Sequence, residues 1–257
     1  MSFVAIIPAR MKSTRLPNKP LMDIGGAPMV VRVAQKALAA GADLVAVATD
    51  HADIVRACEA CGVKALMTSP EHPTGTDRLS QAASMLGLEP DTIVVNVQGD
   101  EPIIDPAVIR RVADVLQNNS DCAIATAAHR IYDIESFRNP NVVKVVLDQA
   151  GRAMTFSRAP IPWPRDAWRN DPEKLPEGFC ALHHIGLYAY RASFLAKFPT
   201  LAQSPIESLE SLEQLRAMWY GYRIAVTVLE ENLPAGVDTA EDLERVRNIW
   251  ARSQGAD

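Results

Sequence analysis

Over residues 3–116, short β-branched or alanine-rich apolar runs alternate with segments of helical period, and this alternation limits the fold more than any other feature. Phe3–Ile7, Leu44–Ala48, Val63–Met67 and Thr92–Val97 read as strands; Pro28–Ala40, Ala52–Ala60, Asp77–Leu86 and Pro106–Leu116 read as helices. Gly41 and Gly62 stand where two of these helices should stop, as expected of C-terminal caps. Strands separated by single helices build βαβ units and therefore a parallel sheet. The strands are apolar throughout rather than alternating, which fits a sheet covered on both faces.

Beyond residue 120 the rhythm changes. Cys122–Ala128, Val142–Leu147 and Met154–Phe156 are strand candidates at hairpin-like spacing. Ala159–Asp171 holds Pro160, Pro162 and Pro164 with Trp163 and Trp168, and reads as a proline-stiffened loop without a helix. Ile185–Tyr190 and Arg223–Leu229 read as strands, Pro205–Tyr220 as one helix, and Thr239–Trp250 as a closing amphipathic helix. The expected fold is α/β: a Rossmann-like, mostly parallel sheet flanked by helices, with a mixed β insertion in the second half. No repeat or linker divides the 257 residues, so one domain is expected, with halves at 1–120 and 121–257 and the insertion at 121–200.

Twenty-six basic against 31 acidic residues leave a net charge of −5, which argues against a nucleic-acid coat. Four cysteines are too few for a disulfide framework. No run approaches a membrane span, and the start lacks a basic leader, so a soluble cytoplasmic protein is expected.

The charge is uneven. Ile6–Pro20 (IIPARMKSTRLPNKP) follows the first strand and carries Arg10, Lys12, Arg15 and Lys19 with no acid. Ligands of doubly wound sheets bind outside the carboxyl ends of the strands. Four cations gathered there suit a polyphosphate, Arg as a fork and Lys as a point charge. A merely solvated basic loop is the opposing reading. The loop has neither Walker A spacing nor a G-x-G-x-x-G fingerprint, since Gly25-Gly26 lies well after the strand.

Ile6–Pro20, with Arg10, Ser13, Arg15, Leu16, Pro17, Lys19 and Pro20, resembles the signature of the sugar-activating nucleotidyltransferases. The match extends in order through ATDH (Ala48–His51), HPTGTDRL (His72–Leu79), VNVQGDEP (Val95–Pro102), NPNVVKVVLD (Asn139–Asp148), FSRAPIPW (Phe156–Trp163), LEQLR (Leu212–Arg216) and GVDTAEDLERV (Gly236–Val246). Together these are similar to the family of CMP-Kdo synthetases (3-deoxy-manno-octulosonate cytidylyltransferases).

The resemblance implies the reaction CTP + Kdo → CMP-Kdo + pyrophosphate, which activates Kdo for lipopolysaccharide biosynthesis. It implies Mg²⁺ as cofactor, CTP and Kdo as substrates, no nucleic-acid or membrane partner, and a homodimer formed through the insertion. It assigns Arg10, Ser13, Arg15, Lys19, Thr74, Gly75, Arg78 and Gln98 to CTP, and Asp100 and Asp238 to the metal. Arg10, Lys19, Asp100 and Asp238 form its catalytic set, and Gln98, Arg158, Arg165, His184, Tyr188, Glu213 and Gln214 its sugar contacts. Thr74 replaces the family's usual Ser and keeps the hydroxyl.

Blander roles stand beside these. Asp238 precedes a helix and could cap it; Thr76 could cap the helix of HPTGTDRL. Tyr188 could be core, and Glu213 could pair with Arg216 at i,i+3. A cytidylyltransferase for another acidic sugar, such as 8-amino-Kdo or a sialic acid, is the alternative activity. A non-catalytic nucleotide-sugar binder stands further off, because it would need no metal acids. Cys58-Glu-Ala-Cys61 has no second pair, and the adjacent His183 and His184 point to opposite faces of a strand, so neither motif suggests a metal site.

Overall fold

A computed structural model describes residues 2–11, 15–230 and 233–254. The chain divides into two compact units, Met1–Asp114 with Leu187–Pro199 and Leu233–Asp257, and Val115–Gly186 with Thr200–Asn232. Two later segments of the chain return to the first unit. The return of the chain's end delivers Asp238 to the basic loop.

Along the first stretch run β1 (Val4–Ala9), β2 (Asp23–Ile24), β3 (Ala27–Pro28), α1 (Met29–Ala39), β4 (Leu44–Thr49), α2 (Ala52–Ala60), β5 (Lys64–Met67), α3 (Gly75–Met85), β6 (Ile93–Asn96) and α4 (Pro106–Asn118). There follow β7 (Ile124–Ile131), α5 (Ile134–Arg138), β8 (Lys144–Leu147), β9 (Ala153–Ser157), α6 (Arg165–Asn170), β10 (Ala181–Arg191), α7 (Ala192–Lys197), α8 (Pro205–Glu210), α9 (Gln214–Trp219), β11 (Ile224–Leu229) and α10 (Ala240–Gln254).

In the first unit β1 pairs in parallel with β4 and β6, and β4 with β5. Residues 188–191 of β10 add an antiparallel strand beside β6. The order β5-β4-β1-β6 places a topological switch between β1 and β6, where such sheets bind ligands. Ala5, Ile6 and Ile7 of β1 and Val94 and Val95 of β6 are wholly buried, matching their unbroken apolar sequence. Helix α1 buries Val30, Val33, Ala34 and Ala37, one stripe at i, i+3, i+4 and i+7. A second cluster joins Leu16, Ile24 and Met29 to Val237, Leu243 and Val246 of the returning segment.

The second unit holds β7 and β11 in parallel register from Ile124–Ile224 to His129–Leu229, and the β8–β9 hairpin against β10. Two expectations are corrected here. The segment Ala159–Asp171 is not loop throughout, because α6 starts directly after Pro164. The prolines all precede the helix, where their missing N–H groups do no harm. Trp168 is buried edge-on against Phe137 with ring centroids 5.7 Å apart, and its indole N–H donates to the Lys174 carbonyl at 2.9 Å. The expected helix Pro205–Tyr220 is two helices broken at Ser211, which adopts φ 51°, ψ 48°. No helix among the described residues is long and apolar enough to cross a membrane.

Candidate active site

The loops after β1 and β6 meet at the switch point. A Cβ on Gly99 would lie 2.8 Å from the Pro8 carbonyl oxygen, so only glycine permits this approach. A Cβ on Gly236 would lie 3.1 Å from the Asp100 carbonyl, and Val237 N–H donates to that carbonyl at 2.9 Å. Backbone packing thus brings the segments of Asp100 and Asp238 together, although 138 residues separate them in sequence. A pocket of about 370 Å³ opens here, lined by Arg10, Arg15, Lys19, Gln98, Asp100 and Asp238 among others.

Lys19 organises the pocket. The turn Lys19–Leu21 starts after Asn18 in the left-handed region (φ 58°) and aims the side chain inward. The ammonium donates to Asp100 Oδ2 at 2.8 Å, the Val237 carbonyl at 2.9 Å and Asp238 Oδ1 at 3.1 Å. Burial works against its charge, but the hydrogen bonds and charges of Asp100 and Asp238 together outweigh it and hold the Lys19 pKa above the ordinary lysine value. Arg15 reaches the other Asp238 oxygen at 3.1 Å.

Asp238 is not the helix cap. Its backbone N–H and that of Thr239 donate to Asp242 Oδ2, and Asp242 N–H donates to Thr239 Oγ1 at 3.2 Å. Thr239 and Asp242 therefore cap α10 reciprocally, leaving the Asp238 carboxylate to the pocket. This T-x-x-D pattern was open to reading in the sequence.

Two carboxylates sharing one ammonium show that the pair accepts a cation. Their all-oxygen donor set suits Mg²⁺, which is commonly held by one or two carboxylates with phosphates and water. No cluster of three or more His, Cys, Asp or Glu ligands occurs among the described residues. Glu101, next to Asp100 in the same motif, is pushed up to about 7 by burial and then by Asp100's charge. One of its carboxyl oxygens is buried without a hydrogen-bond partner among the described residues.

Arg10 donates to the His72 carbonyl at 2.9 Å, tying the basic loop to the HPTG turn. Thr74 caps α3 by accepting from Asp77 N–H at 3.1 Å, so the cap expected at Thr76 lies two residues earlier. A Cβ on Gly75 would meet nothing within 4 Å, so the fold itself does not demand that glycine. Arg78 is wholly buried, donating to Thr68 Oγ1 at 2.7 Å and Asp50 Oδ2 at 2.8 Å. Neither partner was anticipated. Ser13 lies outside the described residues.

Of the expected sugar contacts, Gln98 and half-buried Tyr188 belong to the first unit; Tyr188 stacks on Tyr190 at 5.7 Å. The others belong to the second. Arg158 donates to the carbonyls of Glu210 at 2.6 Å and Pro140 at 2.9 Å, so its guanidinium braces backbone. Arg165 is exposed at the start of α6. His184 is buried, with Nε2 3.1 Å from Thr126 Oγ1; burial, then His183, pushes its pKa down to about 3. Glu213 is half-buried just before α9. Gln214 is 8% exposed, and its amide nitrogen is buried without a hydrogen-bond partner among the described residues.

Fold and pocket together define a nucleotidyltransferase-type site, and the chain belongs to the cytidylyltransferase family, which it matches over residues 4–224. It is 56% identical to the 3-deoxy-manno-octulosonate cytidylyltransferase of Herminiimonas arsenicoxydans over 252 residues, 98% of this chain and 100% of that protein. Among solved structures it is similar to CMP:2-keto-3-deoxy-manno-octonic acid synthetase complexed with CTP, at TM-score 0.87 and 40% identity, covering 98% and 99% of the two chains. A cytidylyltransferase from Leptospira borgpetersenii shares the fold at TM-score 0.60 and 16% identity, over 98% of this chain and 87% of that one.

Proposed function

We propose that the chain catalyses CTP + Kdo → CMP-Kdo + pyrophosphate with Mg²⁺, as a cytoplasmic homodimer activating Kdo for lipopolysaccharide biosynthesis. The observation that carries the mechanism is the Lys19 ammonium shared by Asp100 and Asp238 beneath a basic loop. The sugar's anomeric hydroxyl oxygen attacks the α-phosphorus and gives up its proton to solvent, the bond from the α-phosphorus to the bridging oxygen breaks, and that electron pair leaves on the oxygen of the departing pyrophosphate. Positioning and charge stabilisation are the protein's task.

Arg10, Ser13, Arg15 and Lys19 hold the triphosphate. Lys19, held charged between Asp100 and Asp238, neutralises charge growing on the leaving oxygens. Mg²⁺, when held by Asp100 and Asp238, would supply further charge neutralisation and lower the pKa of the attacking hydroxyl. Thr74 and Gly75 face the cytosine, the open space over Gly75 leaving room for a planar base. Arg78 supports that end from beneath through Asp50 and Thr68. Gln98, Arg158, Arg165, His184, Tyr188, Glu213 and Gln214 recognise the sugar. Gln214 offers a buried amide donor to a sugar oxygen, which lowers the cost of leaving it unpaired. Residues 1–120 supply most of the nucleotide site, and 121–257 most of the sugar contacts and the dimer surface.

Pyrophosphatase-coupled phosphate release from CTP and Mg²⁺ tests the reading, with Kdo, 8-amino-Kdo, a sialic acid or no sugar added. Release should depend on Kdo. Release with a sialic acid and none with Kdo would overturn the substrate, and no release with any sugar would overturn the activity.

A further inference from the structure

Helices α8 and α9 have six residues each. Helices this short gain little from their own hydrogen bonds, so tertiary contacts must set the corner between them. One contact stands out. Arg216 Nε donates to Glu207 Oε2 at 2.8 Å and its Nη2 to Glu207 Oε1 at 2.5 Å. The side chains are 8% and 4% exposed. Glu207 also completes a capping box, since Ser204 N–H donates to its carboxylate and its own N–H donates to Ser204 Oγ. The fork therefore spans the break at Ser211 and fixes Glu207 on α8 against Arg216 on α9.

Glu213 and Gln214 lie between these anchors. Three residues before Gln214, Ser211 ends α8 in the left-handed region. On the other flank, the Glu210 carboxylate accepts Ser157 Oγ–H at 2.6 Å and Arg158 N–H at 2.9 Å. The Arg216 guanidinium engages Glu207 across the corner.

We infer that the buried Glu207–Arg216 fork is a positioning device that sets the register of Glu213 and Gln214 for the acidic sugar, without touching the sugar itself. This rests on the assignment of Glu213 and Gln214 to the sugar. Two parallel hydrogen bonds fix distance and rotation together, as a single lysine contact cannot. A buried pair replaced by apolar residues of similar volume commonly keeps its stability; Glu207→Leu also gives up the Ser204 N–H contact, so Arg216→Lys, which keeps the capping box, is the variant that separates the geometric role from folding.

The test compares Glu207→Leu/Arg216→Met, Arg216→Lys and Gln214→Ala with wild type, reading thermal midpoint, kcat, and KM for CTP and for Kdo. The double variant should stay folded and raise the Kdo KM about tenfold or more, with the CTP KM within about twofold. Arg216→Lys keeps the charge but loses the fork, and should also raise the Kdo KM selectively. If Gln214→Ala raises the Kdo KM while the folded double variant and Arg216→Lys do not, the positioning role is overturned and the sugar site stands. If Gln214→Ala leaves the Kdo KM unchanged, the sugar assignment fails and the inference fails with it. A double variant too unstable to assay, with Arg216→Lys folded and unchanged in Kdo KM, makes the pair structural only and also overturns the proposal.

Discussion

Replacing Lys19 by Met removes the ammonium and keeps most of the apolar stem. In the nucleotide-free protein that ammonium is the shared counter-ion of Asp100 and Asp238, at 2.8 and 3.1 Å. Their facing oxygens are then at most about 6 Å apart, a separation at which two negative charges repel by about 3 kcal/mol at an effective dielectric of 20. The carboxylates are 34% and 48% exposed, so solvent and salt cut this to about half. About 1.5 kcal/mol is roughly a tenfold change in an equilibrium constant. Lys19→Met should therefore bind free Mn²⁺, without CTP, about tenfold more tightly than wild type. Its kcat should fall by about 10²–10³, the usual loss for one donor to a developing oxyanion. Electron paramagnetic resonance of unbound Mn²⁺ during a protein titration reads the first quantity, and steady-state turnover with saturating CTP reads the second. The two changes have opposite signs, which general damage to the pocket would not produce. Unchanged or weaker Mn²⁺ binding would show that Lys19 does not occupy the cation's place. A kcat within tenfold of wild type would remove it from the chemistry.

Two further outcomes follow from buried charge. Arg78→Met leaves Asp50 without its guanidinium partner; breaking such a pair costs about 3 kcal/mol, and the thermal midpoint should drop by about 10 °C. A calorimetric midpoint unchanged from wild type would contradict the bracing role. His184, normally near 6.5, is pushed down to about 3 by burial and then by His183. Below pH 6.5 the unfolded chain takes up a proton that the folded site refuses until about pH 3. Its contribution is thus complete above pH 6.5 and is lost as pH falls, by about 2 kcal/mol at pH 5. Urea unfolding at pH 7, 6 and 5 should show an acid limb shallower by about one proton in His184→Gln; equal slopes would refute the assignment.

What could be read in advance and what could not divide along a physical line. The parallel core was legible because β1 and β6 carry their burial in their composition, and α1 carries it in its period. The basic loop was legible because a charge run without acids is a local property. Its partners were not: Lys19 meets Asp100 and Asp238 at sequence separations of 81 and 219, and only the resemblance joined them. Even so, Thr239 and Asp242 signalled a capping box that would have freed Asp238 from that duty. Helix α6 escaped notice because its prolines weaken every local signal, while its stability comes from burying Trp168 against Phe137. The break at Ser211 has no glycine or proline to announce it. A buried fork between residues nine apart stabilises it, and i,i+9 is not a spacing that places two side chains together on one continuous helix. The Glu207–Arg216 contact and the uninterrupted helix are therefore mutually exclusive, and the sequence preference for the helix is small enough per residue to be overridden by burial of the pair and its neighbours. That competition places Gln214 at the corner of α8 and α9, with its amide nitrogen buried and without a hydrogen-bond partner among the described residues, instead of along the side of a straight helix.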